Sequence, residues 1–169
     1  MGYAVKNVKS FQGREGIGYE CSLYRDGKRV ATVVNTANGG ESDFYWKDMD
    51  KSRVEVAVHD WKDEMRTILV TPEEKLLHEH TDHMFYDESF GDKPLRMGID
   101  GYIDTLADTF EQNKTFKKWC RKQTCFRLKG DAKDSWRTIN MKFSDPRVKP
   151  HLVNKHGEQL EEILNERFA

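Results

Sequence analysis

Residues Tyr19 to Val34 constrain the fold most. Tyr19, Cys21 and Leu23 alternate with Glu20 and Ser22, Arg25-Asp26-Gly27-Lys28 carries turn residues, and Val30 to Val34 returns in β-branched side chains. Side chains alternate across a strand with period two, and Asp-Gly supplies the positive φ angles of a two-residue loop, so the spacing predicts an antiparallel hairpin. Asn38-Gly39-Gly40 predicts a further turn and Phe44-Tyr45-Trp46 a short strand, so the first 46 residues read as strands. The glycines of Gly13 to Gly18 precede a strand, whereas a dinucleotide-binding turn places them between a strand and a helix. That stretch reads as an ordinary loop.

Further along, the apolar period lengthens. Val54, Ala57, Val58, Trp61, Met65 and Ile68 fit one helical face, and Ser52 and Glu55 have capping-box spacing, which predicts a helix from residue 52. Thr71-Pro72-Glu73-Glu74 is a second start signal: Thr71 caps, Pro72 needs no N–H at the first position, and Glu74 closes the box. Residues 85–93 have loop composition. Ile99, Tyr102, Ile103, Leu106 and Phe110 predict an amphipathic helix whose other face carries Asp100, Asp104 and Asp108. A short basic helix with Phe116, Trp119 and Cys120 on its apolar side follows. Cys125 to Lys129 and Ile139 to Phe143 predict a hairpin with Phe126 and Leu128 inward. A helix begins at Ser144-Asp145-Pro146, Gly157 interrupts it, and Leu160, Ile163, Leu164 and Phe168 predict a last helix. Together these predict a single α+β domain spanning 1–169, with a hairpin part at 1–46, a helical acidic middle at 52–112 and a basic helix-hairpin-helix part at 113–169. Its antiparallel β-sheet of about five or six strands packs against several helices.

At 169 residues the chain is long enough to bury a core, and nine Phe, six Tyr and four Trp supply large apolar surfaces within a sequence that is 34% charged. No apolar run approaches the roughly 20 residues that span a bilayer, and the first residues lack the apolar stretch of a signal peptide. A soluble, cytoplasmic protein with no membrane partner is expected. Cys21, Cys120 and Cys125 lack Cys-x-x-Cys spacing and are odd in number, which predicts reduced, mostly buried thiols. No nucleophile motif is present, and Cys120 beside Arg121 and Lys122 reads as a mildly activated thiol at most.

The run His78-Glu79-His80-Thr81-Asp82-His83 spells H-x-H-x-D-H, the metal-binding signature of the metallo-β-lactamase superfamily. Neutral imidazoles and a carboxylate suit a divalent ion, so His78, His80, Asp82 and His83 are the candidate metal ligands, and a metal-dependent hydrolase or nuclease is one reading. The context differs from that superfamily, where the signature leaves a buried strand and further ligands arrive downstream. Here it leaves a capped helix, and Asp131, Asp134, His151 and His156 form no motif. Without those ligands the run is a polar surface and no cofactor is required. Three histidines there would change charge between about pH 5 and 8, weakening contact with a basic partner below about pH 6.5.

Charge is distributed unevenly behind a net of -1: residues 73–111 carry eleven acidic and three basic side chains, while 114–129 carry seven basic and no acidic ones. The acidic zone, with Asp87, Glu88, Asp92, Asp100, Asp104 and Asp108, can present carboxylates to a basic partner or be a solvated face. The basic stretch, with Lys114, Lys117, Lys118, Arg121, Lys122, Arg127 and Lys129, interleaves Phe116, Trp119 and Phe126, a pairing used on phosphates and exposed bases. The same residues can equally bury the rings and solvate the cations.

Asn7-Val8-Lys9-Ser10-Phe11, Cys21 to Ala31, Asn35 to Gly40, Leu128 to Asp131 and Leu160 to Phe168 resemble stretches of small bacteriophage- and prophage-encoded proteins. The resemblance implies a setting in the host cytoplasm and an accessory role. Such proteins bind, and in part inhibit, a host protein or nucleoprotein complex such as a restriction or CRISPR effector. It assigns no catalytic residue. A non-enzymatic binding protein is therefore the expected function, ahead of the metal-dependent enzyme and of direct nucleic-acid binding through residues 114–129.

Overall fold

The computed structural model describes residues 2–60, 63–90, 93–133 and 135–169. It is an α+β protein whose contacts divide into two compact units, residues 1–110 and 111–169. Among the described residues the strands form four small antiparallel sheets rather than one. No helix among those residues is long and apolar enough to cross a membrane.

The first unit is built on a four-stranded sheet in the order β1 (Tyr3–Gln12), β2 (Ile17–Arg25), β3 (Lys28–Asn35) and β4 (Asp43–Trp46). The β2–β3 hairpin is the one expected: Arg25 pairs with Lys28, and Asp26 and Gly27 take φ angles of 48° and 83°, both positive as a type I′ turn requires. In β1, Asn7 at φ 56° forms a bulge between Lys6 and Lys9. The extra residue reverses the alternation, so that Val5 and Val8 both face the core although three positions apart. Leu23, Ala31, Val33 and Trp46 complete that face, covered by Leu77 from α1 (Pro72–Thr81) and by Ile103 and Ala107 from α2 (Gly98–Cys120).

The helix expected from residue 52 is absent. Val54–His59 and Met65–Val70 are instead an antiparallel pair, β5 and β6, in register from Val54↔Val70 to His59↔Met65. Alternating Val54, Val56 and Val58 prevail over the helical face because β-branched side chains pack well on a pleated surface, where Val56 and Val58 are buried with Val70. Trp61, counted on the helical face, lies outside the described residues. The second capping box is realised: Thr71 Oγ1 accepts from Glu74 N at 3.1 Å and Glu74 Oε2 from Thr71 N at 3.4 Å. The loop expected over 85–93 is also a hairpin, β7 (Phe85–Phe90) with β8 (Lys93–Arg96). Tyr86 from β7 fills the space where Gly101 of α2 lacks a side chain; a Cβ there would stand 1.8 Å from the Tyr86 hydroxyl.

In the second unit a three-stranded sheet has the order β10 (Arg137–Ile139), β9 (Thr124–Leu128), β11 (Leu160–Ile163). Phe126 and Leu128 face inward as expected, packing with Ile163 and with Val148 and Leu152 of α3 (Val148–His156). Gly157 at φ 52° ends α3. The last helix does not form. Leu160–Ile163 pairs with β9 through a bulge at Glu161, and Leu164–Phe168 follows as a 3-10 turn. The two expected helices between 99 and 123 are one, since α2 runs without a break from Gly98 to Cys120.

Candidate nucleic-acid interface

The histidine run does not converge. His78 and His80 lie on α1 with Asp82 at its C-cap, and the three side chains share no partner. His80 Nε2 lies 3.2 Å from the Tyr102 hydroxyl, and its ring packs against Tyr3 and Tyr102. His78 is half-buried, and burial, then the nearby Arg66 charge, holds its pKa below the ordinary value. Burial lowers His80 as well. Asp82 is taken by His59, whose Nδ1 is 2.8 Å from Asp82 Oδ1, while His83 is exposed. Among the described residues no three His, Cys, Asp or Glu side chains come together to hold a metal ion. His59, 23 positions from Asp82, carries no local signal that sequence reading could have used.

Two rungs of the acidic ladder are internal. Asp100 Oδ1 accepts from Ser42 N at 2.8 Å, and burial raises its pKa. Asp104 Oδ1 accepts from the Tyr19 hydroxyl at 2.7 Å and from Asn35 Nδ2 at 3.3 Å. These carboxylates fasten α2 to the rim of the four-stranded sheet and are not a free docking face. Asp87 and Asp108 are exposed. The side chain of Glu88, and Asp92, lie outside the described residues.

The basic stretch is arranged differently. The second unit has fourteen Lys and Arg against eight Asp and Glu, a formal +6, whereas the first has fourteen against twenty-one, a formal -7. Four of the second unit's five arginines are bound to its own carboxylates: Arg127 to Glu161 and Glu162, Arg137 to Asp131, Arg147 to Asp145, and Arg167 to Glu162. Arg127 also donates to Lys133 O at 2.7 Å and lies over the Trp136 ring. It is therefore a bracing residue and not a free cation. Lys149 pairs with Glu166, and Lys114 with Glu111.

Of the unit's eight cations without a carboxylate partner among the described residues, four lie at the C-terminal end of α2, while Lys129, Lys133, Lys142 and Lys155 are spread along the rest of the unit. Lys117, Lys118, Arg121 and Lys122 are exposed and, among the described residues, have no carboxylate partner, as is also true of Lys129. Cations at this end also suit the partial negative charge of the helix terminus. Trp119 is 43% exposed among them, whereas Phe116 packs on Trp119 and Trp136, and Phe126 is core. Behind this helix end lies a cavity of about 350 Å³, with Phe143 and Phe168 in its walls, Cys120 and Asn165 lining it, and Lys117 and Arg121 contributing the cations. Asn165, only 4% exposed, fixes its shape: Oδ1 accepts from Cys125 N at 2.8 Å, and Nδ2 donates to Cys120 O and Gln123 O at 3.0 Å each.

Cys120 is not an activated thiol. Burial and the neighbouring Cys125 push it up to about 12, so it stays protonated at neutral pH and gives no nucleophile. Sequence reading found the cations but missed Asn165, Phe143 and Phe168, because it placed Phe143 on a regular strand and Asn165 and Phe168 on a helix. The chain matches no family model, no curated protein and no solved structure.

Proposed function

We propose that this chain is a non-enzymatic nucleic-acid-binding protein that docks its 111–169 unit on a phosphate backbone. The carrying observation is the cluster Lys117, Lys118, Arg121 and Lys122, exposed and without a carboxylate partner among the described residues, beside an exposed Trp119, in a unit whose other arginines are neutralised by its own acids. Four cations releasing counterions from a duplex give a slope of about -3.6 in log affinity against log salt, or a loss of about a hundredfold between 50 and 200 mM. Fluorescence anisotropy with a labelled duplex of about 20 base pairs measures it. Lys118→Glu/Lys122→Glu should weaken binding irrespective of sequence and reduce the slope by about 2. Binding that is absent, or unchanged by salt and by this variant, would refute the reading.

The opposite charges of the units favour a second reading, a phage-type accessory protein acting on a host nucleoprotein complex, with the -7 unit facing basic protein and the +6 unit facing nucleic acid. Capture from host lysate of a protein complex that survives nuclease treatment is expected of the second reading and is not required by the first. Capture abolished by nuclease is explained by the first reading alone.

A further inference from the structure

The cavity behind the α2 terminus has the size and lining of a ligand site. Its volume of about 350 Å³ lies within the roughly 300–1,000 Å³ of small-molecule pockets. The lining brings two chemistries together, Lys117 and Arg121 as cations and Phe143 and Phe168 as aromatic rings, beside Cys120, Asn165 and Ala169. Arg121 is the one arginine of the unit that meets no carboxylate among the described residues, and its planar fork suits two phosphate oxygens. Lys117 Nζ sits 5.5 Å from the centre of the Phe168 ring, so a cation and an aromatic face stand together at the cavity. Asn165 has both donors and its acceptor committed to the backbone, so it leaves no amide free to read a base edge.

We propose that this cavity takes one unpaired nucleotide of a single strand, its phosphate on Lys117 and Arg121 and its base against the rings of Phe143 and Phe168. A base in a duplex is held by its partner and its stack, so it cannot enter. Selection is therefore for unpaired strands, and is tolerant of sequence because every base offers a π-face while the side-chain amide in the lining, Asn165, is committed. This rests on the nucleic-acid reading above and adds to it a preference that surface cations alone do not produce.

The test uses the full chain and anisotropy of a labelled 20-mer of deoxythymidine against a 20-base-pair duplex at about 100 mM salt. One base stacked on an aromatic ring corresponds to a preference of about tenfold to a hundredfold for the single strand. Phe168→Ala and Arg121→Ala should each remove most of that preference; circular dichroism confirms that each variant is folded. Arg121→Ala, at an exposed side chain with no carboxylate partner among the described residues, keeps the test open if Phe168→Ala does not fold. Equal affinity for strand and duplex, or a preference that survives both variants and is lost in Trp119→Ala, would overturn the pocket while leaving the nucleic-acid reading intact. Absence of binding to either probe removes both. Displacement of the strand by micromolar thymidine monophosphate would assign the cavity to a free nucleotide instead and overturn the strand proposal.

Discussion

Replacing Asn165 tests the architecture of the second unit most directly. The side chain holds three backbone groups at once: the Cys125 N–H, which begins the central strand, and the Cys120 and Gln123 carbonyls, which end α2 and the turn after it. Asn165→Ala leaves one buried donor and two acceptors without partners. Each unsatisfied buried group costs about 1–3 kcal/mol, which brackets the total at about 3–9 kcal/mol. The cavity adjoining Asn165 admits water to groups on that side, and a carbonyl relieved by water falls at the low end, so the expected loss is about 3–5 kcal/mol. A folded unit of 59 residues, at roughly 0.05–0.15 kcal/mol per residue, has about 3–9 kcal/mol in all. The substitution should therefore lower the urea midpoint sharply and accelerate amide exchange at Cys125. Asn165→Asp keeps the acceptor for Cys125 N but loses both donors and sets a carboxylate beside two carbonyls, so at pH 7 it should be no milder than Ala. A loss below about 1 kcal/mol, with Cys125 exchange unchanged, would show that Asn165 does not hold this junction.

Gly101→Ala should destabilise the protein by about 1–3 kcal/mol through the clash with Tyr86, despite a helix-propensity gain of up to about 1 kcal/mol, and pairing it with Tyr86→Leu should recover most of the loss in thermal melts. His78 and His80 have folded pKa values depressed by burial, so the unfolded chain takes up their protons first. Their contribution to stability is present above about pH 6.5 and is lost as pH falls through the folded values. Urea midpoints between pH 5 and 8 should show this loss, reduced in His78→Gln/His80→Gln.

Three local signals carried through from sequence to structure: the Asp26-Gly27 turn, the Thr71 capping box and the Gly157 stop, each set by residues within a few positions of one another. The last helix was misread for a reason that the first strand, correctly read, also displays. Val5 and Val8, and Leu160 and Ile163, are inward-facing pairs three apart, a spacing that in an unbroken pattern means a helix. In both cases a β-bulge inserts the extra residue, at Asn7 and at Glu161, and a strand acquires a helical interval. The Val54–Ile68 face failed for the converse reason: a helical alignment over fifteen residues concealed two short strands whose pairing depends on a turn. The Phe85–Arg96 hairpin was hidden because a two-stranded ribbon with exposed Phe85, Tyr86 and Asp87 lacks the inward and outward alternation of a sheet with one buried face.

Charge was legible as composition but not as a surface. The acidic segment counted highest, yet Asp100 and Asp104 are committed to Ser42, Tyr19 and Asn35 inside the first unit, while the basic segment counted seven cations without showing which were free. Only the fold distinguishes them. Arg127 sits within the same segment as Arg121, six positions away, and carries the same charge, but β9 and β11 bring it against Glu161 and Glu162. Arg121 follows the last turn of α2, where no carboxylate among the described residues reaches it. An ion pair already formed must be broken before its arginine can bind phosphate, whereas an unpaired arginine gives up only water and counterions. The difference between these two residues, equal in the sequence and unequal in the fold, is what favours the end of α2 over the acidic zone as the proposed docking surface.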